Sequence, residues 1–143
     1  MTRRNMRYFS LARKEALRSD FVKYRVGCAV VCGNRVLATA HNSEKTHTDQ
    51  KHYNLFRSFD QNVEDVVSKV HAEVAALAKA RYADVDWSKA EIYVWREMRG
   101  SRDHGLARPC KGCMEAIRAH GIRHIFYTGD EGYIYEFLDK EVS

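Results

Sequence analysis

Two stretches decide the fold: HAEVAALAKARY (71–82) and RPCKGCMEAIRAHG (108–121). Both are rich in good helix formers such as Ala, Leu, Glu, Lys and Arg. Each opens with reactive side chains, His71-x-Glu73 in the first and Pro109-Cys110-x-x-Cys113 in the second. Pro109 is suited to open the second helix and Gly121 to close it. Between the two lies EIYVWR (91–96), an apolar run that reads as a strand. After them come RHIFYT (123–128), a GDEG turn (129–132) and YIYEFL (133–138). Parallel neighbours need a crossover of about a dozen residues, so these last two runs read as an antiparallel hairpin. A short terminal helix is the alternative for YIYEFL.

Upstream, RVGCAVVC (25–32) and RVLATAH (35–41) flank Gly33-Asn34 and read as a second hairpin. Residues 6–19 (MRYFSLARKEALRS) read as an amphipathic helix, with Tyr8, Phe9, Leu11, Ala12 and Ala16 on its apolar side. Residues 63–82 have helical composition and read as a turn leading into the main helix from Ala72. Residues 42–61 and 97–108 are polar loops. No repeat or linker interrupts the chain, so the expectation is one domain over residues 1–143. Its predicted class is α/β, a three-layer α/β/α sandwich around a five-stranded mixed sheet.

Hydrophobic residues make up 45% and charged residues 30% of the 143, with a single proline, which excludes disordered and Pro-rich classes. No apolar run approaches the ~20 residues of a membrane span, and no apolar N-terminal stretch suggests a signal peptide. A cytoplasmic location with no membrane partner is the expectation. Residues 1–25 carry a net +6 of the total +5, leaving −1 for the rest. Such a basic segment is either a solvated helix face or a surface for phosphates. Four cysteines occur, and in a cytoplasmic chain they read as free thiols. Cys28 and Cys32, four apart in a strand, share one face and read as core.

Cys110 and Cys113 call for a different reading. At the start of a helix they bring two sulfurs to one face, and the helix N-terminus favours thiolate. With His71 they make three ligands for tetrahedral Zn²⁺ and leave the fourth position to water, as in a catalytic site. Glu73, two residues from the imidazole, stands beside the metal and is placed to shuttle protons. Arg96, Arg99, Arg102, Arg108 and Lys111 flank this region and are candidates for holding a phosphate. Tyr93 and Trp95 read as strand packing.

His71-x-Glu73 followed by Pro109-Cys110-x-x-Cys113 resembles the zinc-dependent cytidine deaminase superfamily, over roughly residues 6–138. The resemblance implies a five-stranded mixed sheet between helices, zinc on His71, Cys110 and Cys113, and Glu73 as the proton shuttle. It implies pyrimidine contacts from the backbone at Ala72 and Pro109, and sugar contacts from Asn42 and Glu44. The implied reaction is hydrolytic deamination of cytosine to uracil in a free nucleoside or nucleotide; the flanking arginines favour a deoxycytidylate-like substrate, whereas Tyr24-Arg25-Val26-Gly27 and Asn42-Ser43-Glu44 resemble the free-nucleoside branch. The alternative is a cytosine deaminase acting on single-stranded DNA or RNA that tracks basic residues 3–25. Adenosine deamination on tRNA fits less well, because 28 residues separate Asn42 from His71. Relatives usually form homo-oligomers, and the same is expected here.

Overall fold

The computed structural model describes residues 1–21, 24–43, 71–98 and 104–139. Its first helix, α1 (Arg3–Ala16), starts and ends three residues earlier than the apolar periodicity predicts. The cause is a reciprocal cap. The Thr2 hydroxyl accepts from the Asn5 backbone N–H, and the Asn5 side chain accepts from the Thr2 backbone N–H, both at 3.1 Å. Strands β1 (Arg25–Cys32) and β2 (Arg35–His41) pair antiparallel across the predicted Gly33-Asn34 turn. Gly33 takes φ 63°, which only glycine adopts readily.

Helix α2 (Ala72–Ala80) is followed by β3 (Ala90–Glu97), a two-residue β4 (His104–Gly105), α3 (Lys111–His120), β5 (His124–Thr128) and β6 (Tyr133–Phe137). The predicted helical segment 63–70 and loop 44–61 lie outside the described residues. The sheet order is β2-β1-β3-β5-β6, with β4 paired to β3. β3 and β5 are parallel and every other pair is antiparallel, so the sheet is mixed as expected. β6 is a strand, and it forms the predicted hairpin with β5. The short β4 adds a sixth strand. It is held from a distance by Thr128, whose hydroxyl donates to Gly105 O (2.6 Å) and accepts from Arg96 N (3.2 Å).

Both sheet faces are covered. α1 buries Tyr8, Phe9, Ala12 and Ala16 against Ala29, Val31, Tyr93, Trp95 and Phe126. α2 and α3 bury Leu77, Met114 and Ile117 against Cys28, Val30, Ile92, Val94 and Ile125 on the other face. Cys28 and Cys32 therefore share a face, Cys28 fully buried and Cys32 at its margin. Tyr93 and Trp95 are core residues beneath α1, as predicted. Glu15 is an unforeseen buried acid on α1, bonded to Thr39 (2.9 Å) and His41 (2.8 Å) of β2. Burial pushes its carboxyl up, but those hydrogen bonds and the charge of Arg18 hold it below its ordinary value. Among the described residues, no helix is long and apolar enough to cross a membrane.

The approach of α1 to the sheet turns on Gly27. A Cβ there would overlap the Ala12 carbonyl oxygen and the Ala16 backbone nitrogen. Gly27→Ala is expected to lower the urea midpoint by an amount equivalent to about 1–3 kcal/mol. Gly132→Ala, where a Cβ meets open space, is expected to leave it nearly unchanged. Equal midpoints for the two variants would contradict this packing.

Candidate active site

The reactive side chains stand at two helix starts. His71 is the N-cap residue of α2, with extended backbone (φ −86°, ψ 155°) and no side-chain capping bond. Its imidazole is turned toward the cysteine pair instead, with Nδ1 at 3.3 Å from Cys113 Sγ and 3.6 Å from Cys110 Sγ. Cys110 is the N-cap residue of α3 (φ −68°, ψ 171°), and its sulfur accepts from the Cys113 N–H at 3.4 Å. This cap corrects one expectation. Pro109 lies one residue before the cap rather than at the first helical position, because Cys110 takes the extended conformation and α3 starts at Lys111. The N-cap and N3 positions also explain why Cys-x-x-Cys spacing brings the two sulfurs together.

The ligand atoms of His71, Cys110 and Cys113 all lie within 4.8 Å of one another. Usual lengths of ~2.3 Å for zinc–sulfur and ~2.0 Å for zinc–nitrogen put tetrahedral ligand atoms about 3.5–3.8 Å apart. The observed nitrogen–sulfur separations match that spacing, so this donor set fits a zinc-sized ion. The hydrogen bond from Cys113 and the neighbouring His71 lower the Cys110 thiol to about 3, against the cost of burial. The Cys113 thiol is correspondingly pushed up, by that same hydrogen bond and by burial. Metal binding would release its proton.

Glu73 sits in the first turn of α2 and is 5% exposed. Burial raises its carboxyl to about 7, with Cys110 adding to the rise and His71 opposing it. A carboxyl poised there can hold or give up a proton near neutral pH. It opens into a cleft of about 270 Å³ whose wall also includes Ala72, Ala107, Asn42 and Tyr24. Ala72 and Ala107 are small and buried, which leaves room for a planar ring beside Glu73.

The remaining predicted contacts divide. Ala72 lines the cleft, while Pro109 is buried next to the lining residues Arg108 and Cys110. Asn42 is also in the wall, but its amide is largely engaged by the fold. Its Oδ1 accepts from Val26 N (2.9 Å) and Ser19 Oγ (2.6 Å), and its Nδ2 donates to Tyr24 O (3.0 Å). Glu44, Arg99 and Arg102 lie outside the described residues. Arg96 and Arg108 line the cleft, whereas Lys111 is exposed and outside its wall. Tyr24, in the Tyr24-Arg25-Val26-Gly27 stretch just before and into β1, lines the cleft, a place its sequence does not by itself indicate.

Residues 2–128 match the family described as the cytidine and deoxycytidylate deaminase zinc-binding region. The chain belongs to this family. No curated protein sequence matches it. Among solved structures, it is similar to the dCMP deaminase from cyanophage S-TIM5, with 20% identity and a TM-score of 0.61 over 90% of this chain and 86% of that one. It is also similar to cytidine deaminase from Burkholderia pseudomallei, with 18% identity and a TM-score of 0.63 over 96% and 93%. A structure from work on A-to-I editing by tRNA:A34 deaminases matches with 24% identity and a TM-score of 0.51 over 87% and 75%. At these identities the likeness is one of fold, and it confirms the expected deaminase-like α/β architecture.

The deaminase-family chain is expected to purify with one tightly held divalent metal ion. Cys110→Ala should abolish stoichiometric metal in elemental analysis, and Cys32→Ala, at the far margin of the core, should retain it. Full metal content in Cys110→Ala would remove that residue from the ligand set.

Proposed function

We propose that this chain catalyses zinc-dependent hydrolytic deamination of cytosine to uracil in a free nucleoside or nucleotide. The observation that carries the reading is the buried Glu73 carboxyl beside the His71–Cys110–Cys113 group in one cleft. Zinc on those three ligands would supply a Lewis acid that makes water acidic enough to attack near neutral pH. Glu73 then takes a proton from the attacking water and gives it to the ring nitrogen N3. As the water oxygen becomes bonded to C4, the C4–N4 bond breaks. Glu73 passes the second proton to the departing amine, which leaves as ammonia. The backbone at Ala72 and Pro109 is assigned to the pyrimidine edge. Asn42 is assigned to the sugar through the Nδ2 hydrogen that it does not donate to Tyr24.

The small-molecule reading is favoured over a polymer by where the basic residues lie. α1 covers the sheet face opposite α2 and α3. Several of its arginines are paired within the fold: Arg4 with Glu91 (2.6 Å), Arg13 with Glu97 (3.3 Å) and Arg18 with Glu15 (3.3 Å). A strand tracking this helix would lie away from the cleft.

Glu73→Gln is expected to keep its metal and lose about 10²- to 10⁴-fold in kcat. The assay mixes cytidine, deoxycytidine, their monophosphates and a cytosine-containing single-stranded oligonucleotide, and resolves uracil products by mass. Wild-type turnover in Glu73→Gln would remove the assigned proton shuttle. Conversion of the oligonucleotide alone would contradict the small-molecule reading.

A further inference from the structure

Two arginines line the cleft, and their surroundings differ. Arg108 is held by Glu136 in a two-pronged pair, Nε to Oε1 at 3.0 Å and Nη2 to Oε2 at 2.9 Å. Its charge is already balanced. Arg96 lies on β3 between Val26 of β1 and Gly105 of β4. Its guanidinium carbon lies over the Tyr24 ring, 5.0 Å from the centroid. Its Nε is buried and has no hydrogen-bond partner. Among the described residues, no carboxylate pairs with it.

A guanidinium cannot shed its charge, and a buried donor without an acceptor is costly. A cation–π contact of this kind holds the guanidinium in place without using its N–H groups. Arg96 is therefore a cation held in the wall of the candidate active site with no carboxylate partner among the described residues, and a phosphate is an anion whose oxygens match its fork.

Arg96 reaches the cleft from a different element than the metal group does. Val26, the β1 neighbour of Arg96, is bonded in both directions to Asn42, Val26 N to Asn42 Oδ1 (2.9 Å) and Asn42 N to Val26 O (3.0 Å). Arg96, Val26 and Asn42 thus line the cleft from adjoining strands, while His71, Glu73 and Cys110 line it from the two helix starts.

We infer that Arg96 is the specificity-determining residue that recognises the phosphate monoester of the substrate, so that the chain acts on a cytosine nucleoside monophosphate in preference to the nucleoside. This rests on the deaminase reading above. Arg108 is excluded from the role by its pairing with Glu136, and Tyr24 is the positioning residue that holds the fork.

The test compares kcat/KM on deoxycytidine monophosphate and deoxycytidine for wild type, Arg96→Gln and Arg96→Lys, with calorimetric binding of the monophosphate as a second readout. Wild type is expected to prefer the monophosphate. Arg96→Gln should lose about 10- to 100-fold on it, chiefly in KM, and change little on deoxycytidine. Arg96→Lys should recover part of the loss, because it restores charge without the planar fork. Inorganic phosphate should compete with the monophosphate in wild type and lose that effect in Arg96→Gln. An equal loss on both substrates, or a wild-type preference for deoxycytidine or for a single-stranded oligonucleotide, would overturn the inference. Absence of all turnover would instead refute the deaminase reading. The calorimetric comparison would still decide the anion site, which is upheld if Arg96→Gln weakens binding and refuted if it does not.

Discussion

The site depends on two helix N-caps meeting on one face of the sheet. His71 caps α2 and Cys110 caps α3, and both helices pack on the same apolar surface of β1, β3 and β5. β3 and β5 are parallel, so the chain between them must cross over the sheet, and α3 is that crossover. α3 therefore starts near the C-terminal end of β3, where the sheet gives way to loops. His71 precedes Cys110 by 39 residues, yet its donor atom converges with the two sulfurs because two helix starts are fixed by the same strands. Neither cysteine needs a special backbone conformation: Cys110 is an N-cap residue, extended by nature, and Cys113 lies inside the helix.

The same arrangement sets the electrostatics. Two helix N-termini favour negative charge at the sulfurs, while the core behind them strips water from Glu73. One carboxylate is thus held near neutrality, and one thiol of the pair is readily ionised. The rest of the lining includes the start of β1, the residue after β2 and the end of β3, which supply polar atoms and one guanidinium without a carboxylate partner among the described residues. On the far sheet face, α1 sits close enough that only glycine fits at position 27.

Much of this was legible in the sequence because its causes are local. Gly33-Asn34, the Gly121 helix stop and the short GDEG connection each act within a few residues, and each produced the predicted turn, stop or hairpin. The histidine and cysteines were legible because metal chemistry demands those residue types at helix starts. What was missed depends on distant partners. The start of α1 is fixed by Thr2 and Asn5, outside its apolar stripe. The brief β4 exists because Thr128 reaches back to Gly105. Arg96 and Arg108 look alike in sequence, and only Tyr24 and Glu136, brought in from elsewhere in the chain, make one a balanced pair and the other an open cation. Asn42 carried a sugar-binding expectation, yet its amide also ties the start of β1 to the end of β2.

Hydrolysis at C4 is the central chemical claim, and isotope transfer tests it most directly. Zinc-loaded protein incubated with deoxycytidine monophosphate in ¹⁸O-labelled water should give the uracil nucleotide with one labelled oxygen at C4, together with one equivalent of ammonia. Release of a product without label at C4, or recovery of unchanged substrate with no ammonia formed from it or from the other cytosine nucleosides and nucleotides, would contradict a hydrolytic deaminase built on His71, Glu73, Cys110 and Cys113.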